Sequence, residues 1–317
     1  MGLFSRIFIA IIVIVAVPYY WLLLDARTGS VPARPIDIAA IRKLADQLPG
    51  QRPVSIEYAP LAVRRMPGTL LVAGGGLQTH TVAKVAYRLV TPGGDTVIDV
   101  GPTRAQAADV NFDQFDDLAR SAVDRWMRDA KRILFTHEHP DFVGAFIASD
   151  AFDSLAPKVT VSRRQADVME RMRSGVASGG TQIVSSDQAE AIAPGIVFIP
   201  APGHSVGSQF IYVKLASGRE YLFVGDTATM QRNVSWIRPR SRLASSWQGG
   251  EDRDAVIGHL KGLEQLATAA PGVTIVYGGD VSWLQTRRGG PGFTSAFRYG
   301  SQDSSESNEE TEQSSLK

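Results

Sequence analysis

The sequence predicts an α/β domain behind one amino-terminal apolar helix, on three observations. Short apolar runs alternate along the chain with stretches whose apolar residues recur at helical spacing. Histidines and aspartates gather where the short runs end, at His137, His139, His204, Asp226 and Asp280. An 18-residue apolar run, Ile7 to Leu24, precedes them all.

At 317 residues the chain is long enough for an ample core. A net charge of +1 gives no electrostatic case for nucleic acid, and none is expected as a partner. The absence of cysteine excludes disulfides, thiolate metal ligands and a cysteine nucleophile.

In chain order, residues 1–6 form a short leader and residues 7–24 a single-pass membrane anchor, which makes the lipid bilayer one partner. Residues 7–24 in helical form span roughly 27 Å, close to the hydrocarbon thickness of a bilayer. Tyr19, Tyr20 and Trp21 are placed as an interfacial aromatic belt. A cleaved signal peptide is the rival reading, but Leu24-Asp25-Ala26 makes a poor small-x-small cleavage site. The short leader carries Arg6, which favours a cytoplasmic amino terminus and an extracytoplasmic bulk; Arg27 and Arg34 beyond the run weigh against it.

Residues 25–48 comprise a Pro-rich linker at Val31 to Pro35 and an amphipathic helix through Ile38, Ile41, Ala45 and Leu48. Asp37 is its cap and Pro49-Gly50 its stop. Residues 49–293 are read as the α/β domain. Alternation from Val82 to Val90 and the run Thr96 to Val100 predict a hairpin across Pro92-Gly93-Gly94. Phe112, Phe115, Leu118, Ala122 and Trp126 form a helical stripe leading to a buried strand at Ile133 to Phe135. A helix follows at Arg163–Arg173, then strands at Ile196 to Ile199, Phe210 to Leu215 and Tyr221 to Val224. A helix from Asp252 to Ala270 and a strand from Val273 to Tyr277 close the domain. Residues 294–317 are a tail that from Ser301 onward holds five acids and one Lys without apolar periodicity, the composition of a disordered segment.

The chemistry centres on Thr136-His137-Glu138-His139-Pro140-Asp141-Phe142, just past the Ile133 to Phe135 strand. Residues two apart in extended chain point the same way, so His137 and His139 can face one ion. Further strand ends carry Pro202-Gly203-His204-Ser205, Gly225-Asp226-Thr227 and Gly278-Gly279-Asp280, and loops at one sheet edge can converge. This order of signatures resembles the metallo-β-lactamase superfamily over most of the chain between anchor and tail. The resemblance implies a four-layer αββα sandwich with metal at one edge. It also implies that His137, His139, His204 and Asp226 are metal ligands and Asp141 a second-site ligand.

The sequence departs from the family at two positions. The His that follows the motif Asp is here Phe142, and the His of the last turn falls at Gly279. One zinc is therefore expected, with Asp141 free to act as general base on the metal-bound water. The function expected is zinc-dependent hydrolysis of an ester, lactone, thioester or related bond, by metal-bound hydroxide. An iron dioxygenase of the same fold, using His137, His204 and Asp226, is one alternative, and a non-catalytic metal-binding or scaffold descendant is another. Asp280 and His259 are candidates for a rebuilt second site or its surroundings; a helix-face His such as His259 is more often structural. His80, after a Gly-rich stretch, is either on a flap over the site or on a plain surface loop. Phe142, Trp236, Arg238 and Arg240 are candidates for the substrate cleft. The arginines of that region, which also holds Arg242 and Trp247, suit a small anionic substrate or else form a solvated basic loop.

Overall fold

The computed structural model describes residues 2–185, 187–246, 250–286 and 290–295. One sheet begins with β1 (Ser55–Pro67), β2 (Thr79–Val90), β3 (Thr96–Ile98), β4 (Gln114–Phe115), β5 (Arg132–Leu134), β6 (Val159–Ser162) and β7 (Gln182–Val184). The second is β8 (Glu190–Ala193), β9 (Ile196–Pro200), β10 (Gln209–Lys214), β11 (Glu220–Phe223) and β12 (Val273–Val276), after which β13 (Thr294–Ser295) returns to the first. The orders are β13-β1-β2-β3-β5-β6-β7, with β4 beside β1, and β12-β11-β10-β9-β8. β3, β5, β6 and β7 run parallel, as do β11 and β12, so several strands end at the same edge.

The two-residue period of a strand sorts its side chains between layers. On β2, Val85, Tyr87 and Leu89 enter the core shared with the second sheet, whereas Ala86 enters the core under the helices of the first. Ile98 and Leu134 take the inter-sheet side, and Val97 and Ile133 the helix side. Helices Asp117–Asp129, Pro140–Ile147, Phe152–Leu155 and Arg163–Met172 bury Val123, Val143, Phe146, Phe152 and Met169 against the first sheet. Helices Ile38–Ala45 and Arg253–Ala269 pack on the second, through Ile41, Ala45, Leu260 and Leu263. The layers are αββα, as the family resemblance implied.

Two expectations need correction. The stripe starting at Phe112 is not one helix. Asp116 caps a helix that begins at Asp117, Gln114 and Phe115 pair with β1, and Leu118 is 56% exposed rather than core. The helix instead buries Ala119, Ala122, Val123, Trp126 and Met127. The tail is not without structure from its first residue, because Thr294–Ser295 pairs in parallel with β1; residues 296–317 lie outside the described ones. β1 itself had no assignment in the sequence. Its residues from Tyr58 to Val63 are all buried and a bulge falls between Pro60 and Ala62, so no clean alternation exists to be read.

The apolar amino-terminal run is a helix, Leu3–Tyr19, continued by a wider π-helical turn, Tyr20–Leu24. Pro18, which has no N–H to donate, precedes this change of pitch, and the Asp25 amide closes it by donating to the Tyr20 carbonyl. The helix is long and apolar enough to cross a membrane, and its apolar window is wholly unburied. Its end is fastened to the domain. The Leu23 carbonyl accepts from Gly74 N–H at 3.0 Å and Thr69 Oγ1–H at 2.9 Å, and the buried Asp25 pairs with Arg242 at 2.9 Å.

Candidate metal centre

Leu134 closes β5, and the chain then runs extended through the two histidines before Pro140 starts a helix at its first position. His137, His139 and His204 converge, with one ring nitrogen of each within 4.8 Å of the others. His139 Nδ1 and His204 Nε2 are 3.1 Å apart, and His137 Nε2 is buried without a hydrogen-bond partner. Metal-binding nitrogens must present lone pairs, so the second nitrogen of a ligand imidazole carries the proton and needs an acceptor. His137 meets this requirement: Thr136 donates its single hydroxyl proton to Asp99 Oδ2 at 2.9 Å and is left to accept from His137 Nδ1–H at 3.1 Å. Asp99 Oδ1 also accepts the Thr136 amide at 2.8 Å. His204 Nδ1 lies 3.0 Å from Glu251 and 2.7 Å from Arg240 Nη2; of these two only the carboxylate can accept, so His204 meets the requirement in the tautomer that carries its proton on Nδ1. Arg240 Nη2 donates to the same carboxylate oxygen at 2.7 Å.

Burial drives the electrostatics. It lowers His137 well below the usual imidazole range, helped by His204 and His139, and lowers His139 to about 4. Both rings are therefore neutral at physiological pH, the form that binds metal. Burial alone would raise Glu251, but Arg240 and then His204 outweigh it and hold that carboxyl at about 2. Burial raises Asp99 to about 7 in spite of its bonds to Thr136.

Glu138, between the two histidines, points the opposite way and is buried. It accepts from Ser205 Oγ at 2.8 Å and Gly207 N–H at 3.1 Å, so it ties the His204 loop to the His137/His139 loop. Gly225 closes the arrangement from β11: its φ is +52°, and a Cβ there would lie 2.7 Å from Thr136 Oγ1 and 3.3 Å from His137 Nδ1. Three imidazoles with their far nitrogens or loops fixed in this way suit a divalent metal such as zinc.

Asp141 and Asp226 lie beside the triad, but both hold Lys84. Its Nζ is 2.9 Å from Asp141 Oδ2 and 2.8 Å from Asp226 Oδ2, and it sits 4.2 Å from the centre of the Phe142 ring. The other Asp226 oxygen takes the Thr229 hydroxyl at 3.3 Å. Burial would raise Asp226; Lys84, His204 and His137 overcome that and hold it well below the usual carboxylate range. Burial works to lower Lys84, while Asp141 and Asp226 raise it above its ordinary value, so it is an ammonium.

Of the other sequence candidates, Asp280, His259 and His80 are placed apart from the triad. Asp280 caps helix Val281–Leu284, accepting from Trp283 N–H at 3.1 Å and Gln231 N–H at 3.0 Å, so both its oxygens have structural partners. His259 lies 3.2 Å from the Pro202 carbonyl, packs its ring on Phe210, and supports the His204 loop from the far side. His80 belongs to β2, not a flap, and its Nε2 is 3.3 Å from Arg232. Phe142 is buried against the His137 ring at 4.0 Å and fills the volume next to it. Of the candidates for the cleft, Arg240 lines the cavity beside the triad, and Phe142, Trp236 and Arg238 do not. Trp247 is outside the described residues. The cavity is about 480 Å³, with His139, Lys84, Asp141, Asp226 and Arg240 at its polar end and Met66, Leu70, Leu71, Val82, Val110 and Phe112 as apolar wall.

Lys84, Glu138, Glu251, Thr136 and Asp99 were not singled out in the sequence. A signal existed for two of them. Glu138 sits between the two histidines of a His-x-His pair, and Lys84 is a charge in the apolar stretch Val82 to Tyr87 of β2.

No family model matches the chain, and no curated protein matches it in sequence. Solved structures do match it in fold. A quorum-quenching N-acyl homoserine lactone lactonase aligns over 74% of this chain and 95% of its own, at TM-score 0.58 and 15% identity. A probable metal-dependent hydrolase from Staphylococcus aureus covers 73% and 91%, at TM-score 0.53 and 14% identity. A hydrolase of the beta-lactamase superfamily covers 74% and 91%, at TM-score 0.50 and 17% identity.

Proposed function

We propose, from the premise that this chain has the metallo-β-lactamase fold, that it is a single-zinc hydrolase anchored to a membrane by residues 7–24. The observation that carries this reading is the convergence of His137, His139 and His204 on one point, with His137 Nε2 buried and unpartnered. An ion held there supplies Lewis acidity to a substrate oxygen and brings the pKa of a water to about 7.

The residues around the triad divide the remaining work. Asp141 stands at the polar end of the cavity as general base toward that water. Lys84 and Arg240 give the same end positive charge, which suits a carbonyl or carboxylate group of the substrate. The apolar wall from Met66 to Phe112 takes an acyl or similar arm. The substrate class supported is an ester, lactone or thioester with an apolar chain on one side of the scissile bond, and lactonases among the structural neighbours agree with it. An iron site of His137, His204 and Asp226 has less support, since Lys84 and Thr229 occupy both Asp226 oxygens.

The test is metal content and esterase activity of the full chain with His137→Ala and His204→Ala, using p-nitrophenyl butyrate and a γ-lactone as probes. Loss of the ion and of turnover in both variants is expected. Retention of both properties would overturn the reading.

A further inference from the structure

A second metal in this fold would be held between the motif Asp and the Gly-Asp-Thr Asp, the positions of Asp141 and Asp226. Those two carboxylates are already joined by a cation that belongs to the chain. Lys84 is on β2, and the strand's two-residue period sends its side chain to the same face as Ala86, toward helix Pro140–Ile147 that carries Asp141 and Phe142. The Nζ reaches Oδ2 of each carboxylate at 2.9 and 2.8 Å. The ring of Phe142, standing where the fold's second site has an imidazole, presents its face to the ammonium at 4.2 Å. An ion bound at about 2 Å from those same oxygens would coincide with the ammonium. The position of the last family ligand is also tightly packed, since a Cβ on Gly279 would lie 3.0 Å from the Ala83 carbonyl oxygen.

We propose that Lys84 is the second cation of this centre: its ammonium stands in place of a second metal ion between Asp141 and Asp226, excludes that ion, and binds the substrate oxygen the ion would have bound. The idea rests on the triad being a metal centre. It accounts together for three features of the chain that otherwise stand separately, namely the loss of an imidazole at Phe142, its loss at Gly279, and a part-buried Lys between two carboxylates. Two carboxylates facing one another without a counter-ion would be costly; one ammonium with two bonds to them, and a third N–H left over, relieves this and keeps a positive charge at the cavity. The bound oxygen would be the one on which charge grows as the carbonyl is attacked, so Lys84 would act in the transition state.

Zinc uptake by the full chain tests the exclusion directly. The metal-depleted protein, titrated calorimetrically with zinc and checked by elemental analysis, should take up one ion per chain, and so should Lys84→Arg. The double variant Lys84→Ala with Phe142→His frees both carboxylates and adds an imidazole; it should take up two. Lys84→Met should lose about 100- to 1000-fold in kcat on p-nitrophenyl butyrate while keeping its first ion, the size expected for one lost oxyanion partner. A parent that takes up two ions, or a Lys84→Met protein that keeps full kcat, overturns the proposal and leaves the hydrolase reading standing. A parent that takes up none overturns both. Circular dichroism of each variant shows whether a failure to bind is a failure to fold, and a folded double variant with only one ion also counts against the proposal.

Discussion

At the scale of single residues, the centre depends on side chains that never touch the substrate. Glu251 is the clearest case, because it takes the Nδ1 proton of His204 and so leaves Nε2 free for metal. Its carboxyl is held at about 2 against an ordinary 4.5. A depressed carboxylate stabilises the fold fully above its unfolded pKa and loses that contribution as pH falls through the folded value. The stability difference between the parent and Glu251→Gln should therefore be constant above about 4.5 and shrink as pH falls toward about 2. Denaturant unfolding over that range checks it, and parallel curves for the two proteins throughout would contradict the assignment. Metal affinity at neutral pH should also fall, by about 10- to 100-fold. The sequence shows His137, His139 and His204 because spacing and strand ends declare them. It does not show Glu251, because a carboxylate 47 positions from its histidine has no local pattern.

At the scale of elements, legibility follows spacing and punctuation. The helices Arg163–Met172 and Arg253–Ala269 carry caps, the strands β9 to β12 are short apolar runs between turn residues, and their expected bounds differ from the structure by a residue or two. β1 is buried on both faces and carries Pro60 and Pro67, so its pattern disappears. Phe112 and Phe115 mislead in the opposite sense, since two aromatics at chance helical spacing serve a cavity wall and a strand pair. The turn leaving β11 shows what an element must do for chemistry. Gly225 has left-handed backbone and lies against Thr136 and His137, so Gly225→Ala adds both strain and a collision. The variant should lose about 1–3 kcal/mol of stability. It should also bind zinc more weakly, because the displaced hydroxyl is the acceptor for His137 Nδ1–H. Thermal unfolding and a zinc titration measure the two effects; a variant with parental values in both would show that the turn relaxes freely.

At the scale of the whole molecule, the apolar amino-terminal helix and the cavity are one construction. The π-helical turn that ends the apolar helix packs on helices Gly68–Leu71 and Arg242–Ser245, and Leu70, Leu71 and Ala244 from these helices line the cavity. Arg242 adds a cation–π contact to Trp21 at 3.8 Å and an ion pair to Asp25, and Arg253 donates to the Asp25 carbonyl. A segment discarded after export would have little reason to be fastened at its last turn, so these contacts favour an uncleaved anchor over a signal peptide. The full chain should sediment with membranes or lipid vesicles, and a chain lacking residues 1–24 but keeping Asp25 should stay in the supernatant while retaining its zinc. Since the Thr69 hydroxyl and Gly74 amide lose the Leu23 carbonyl in that truncation, the cavity wall loosens on one side. The KM for a long-chain p-nitrophenyl ester should then rise more than that for the butyrate, with kcat little changed. Mature protein whose amino terminus begins after Leu24, recovered without membrane, would establish cleavage instead and remove the anchor from the function.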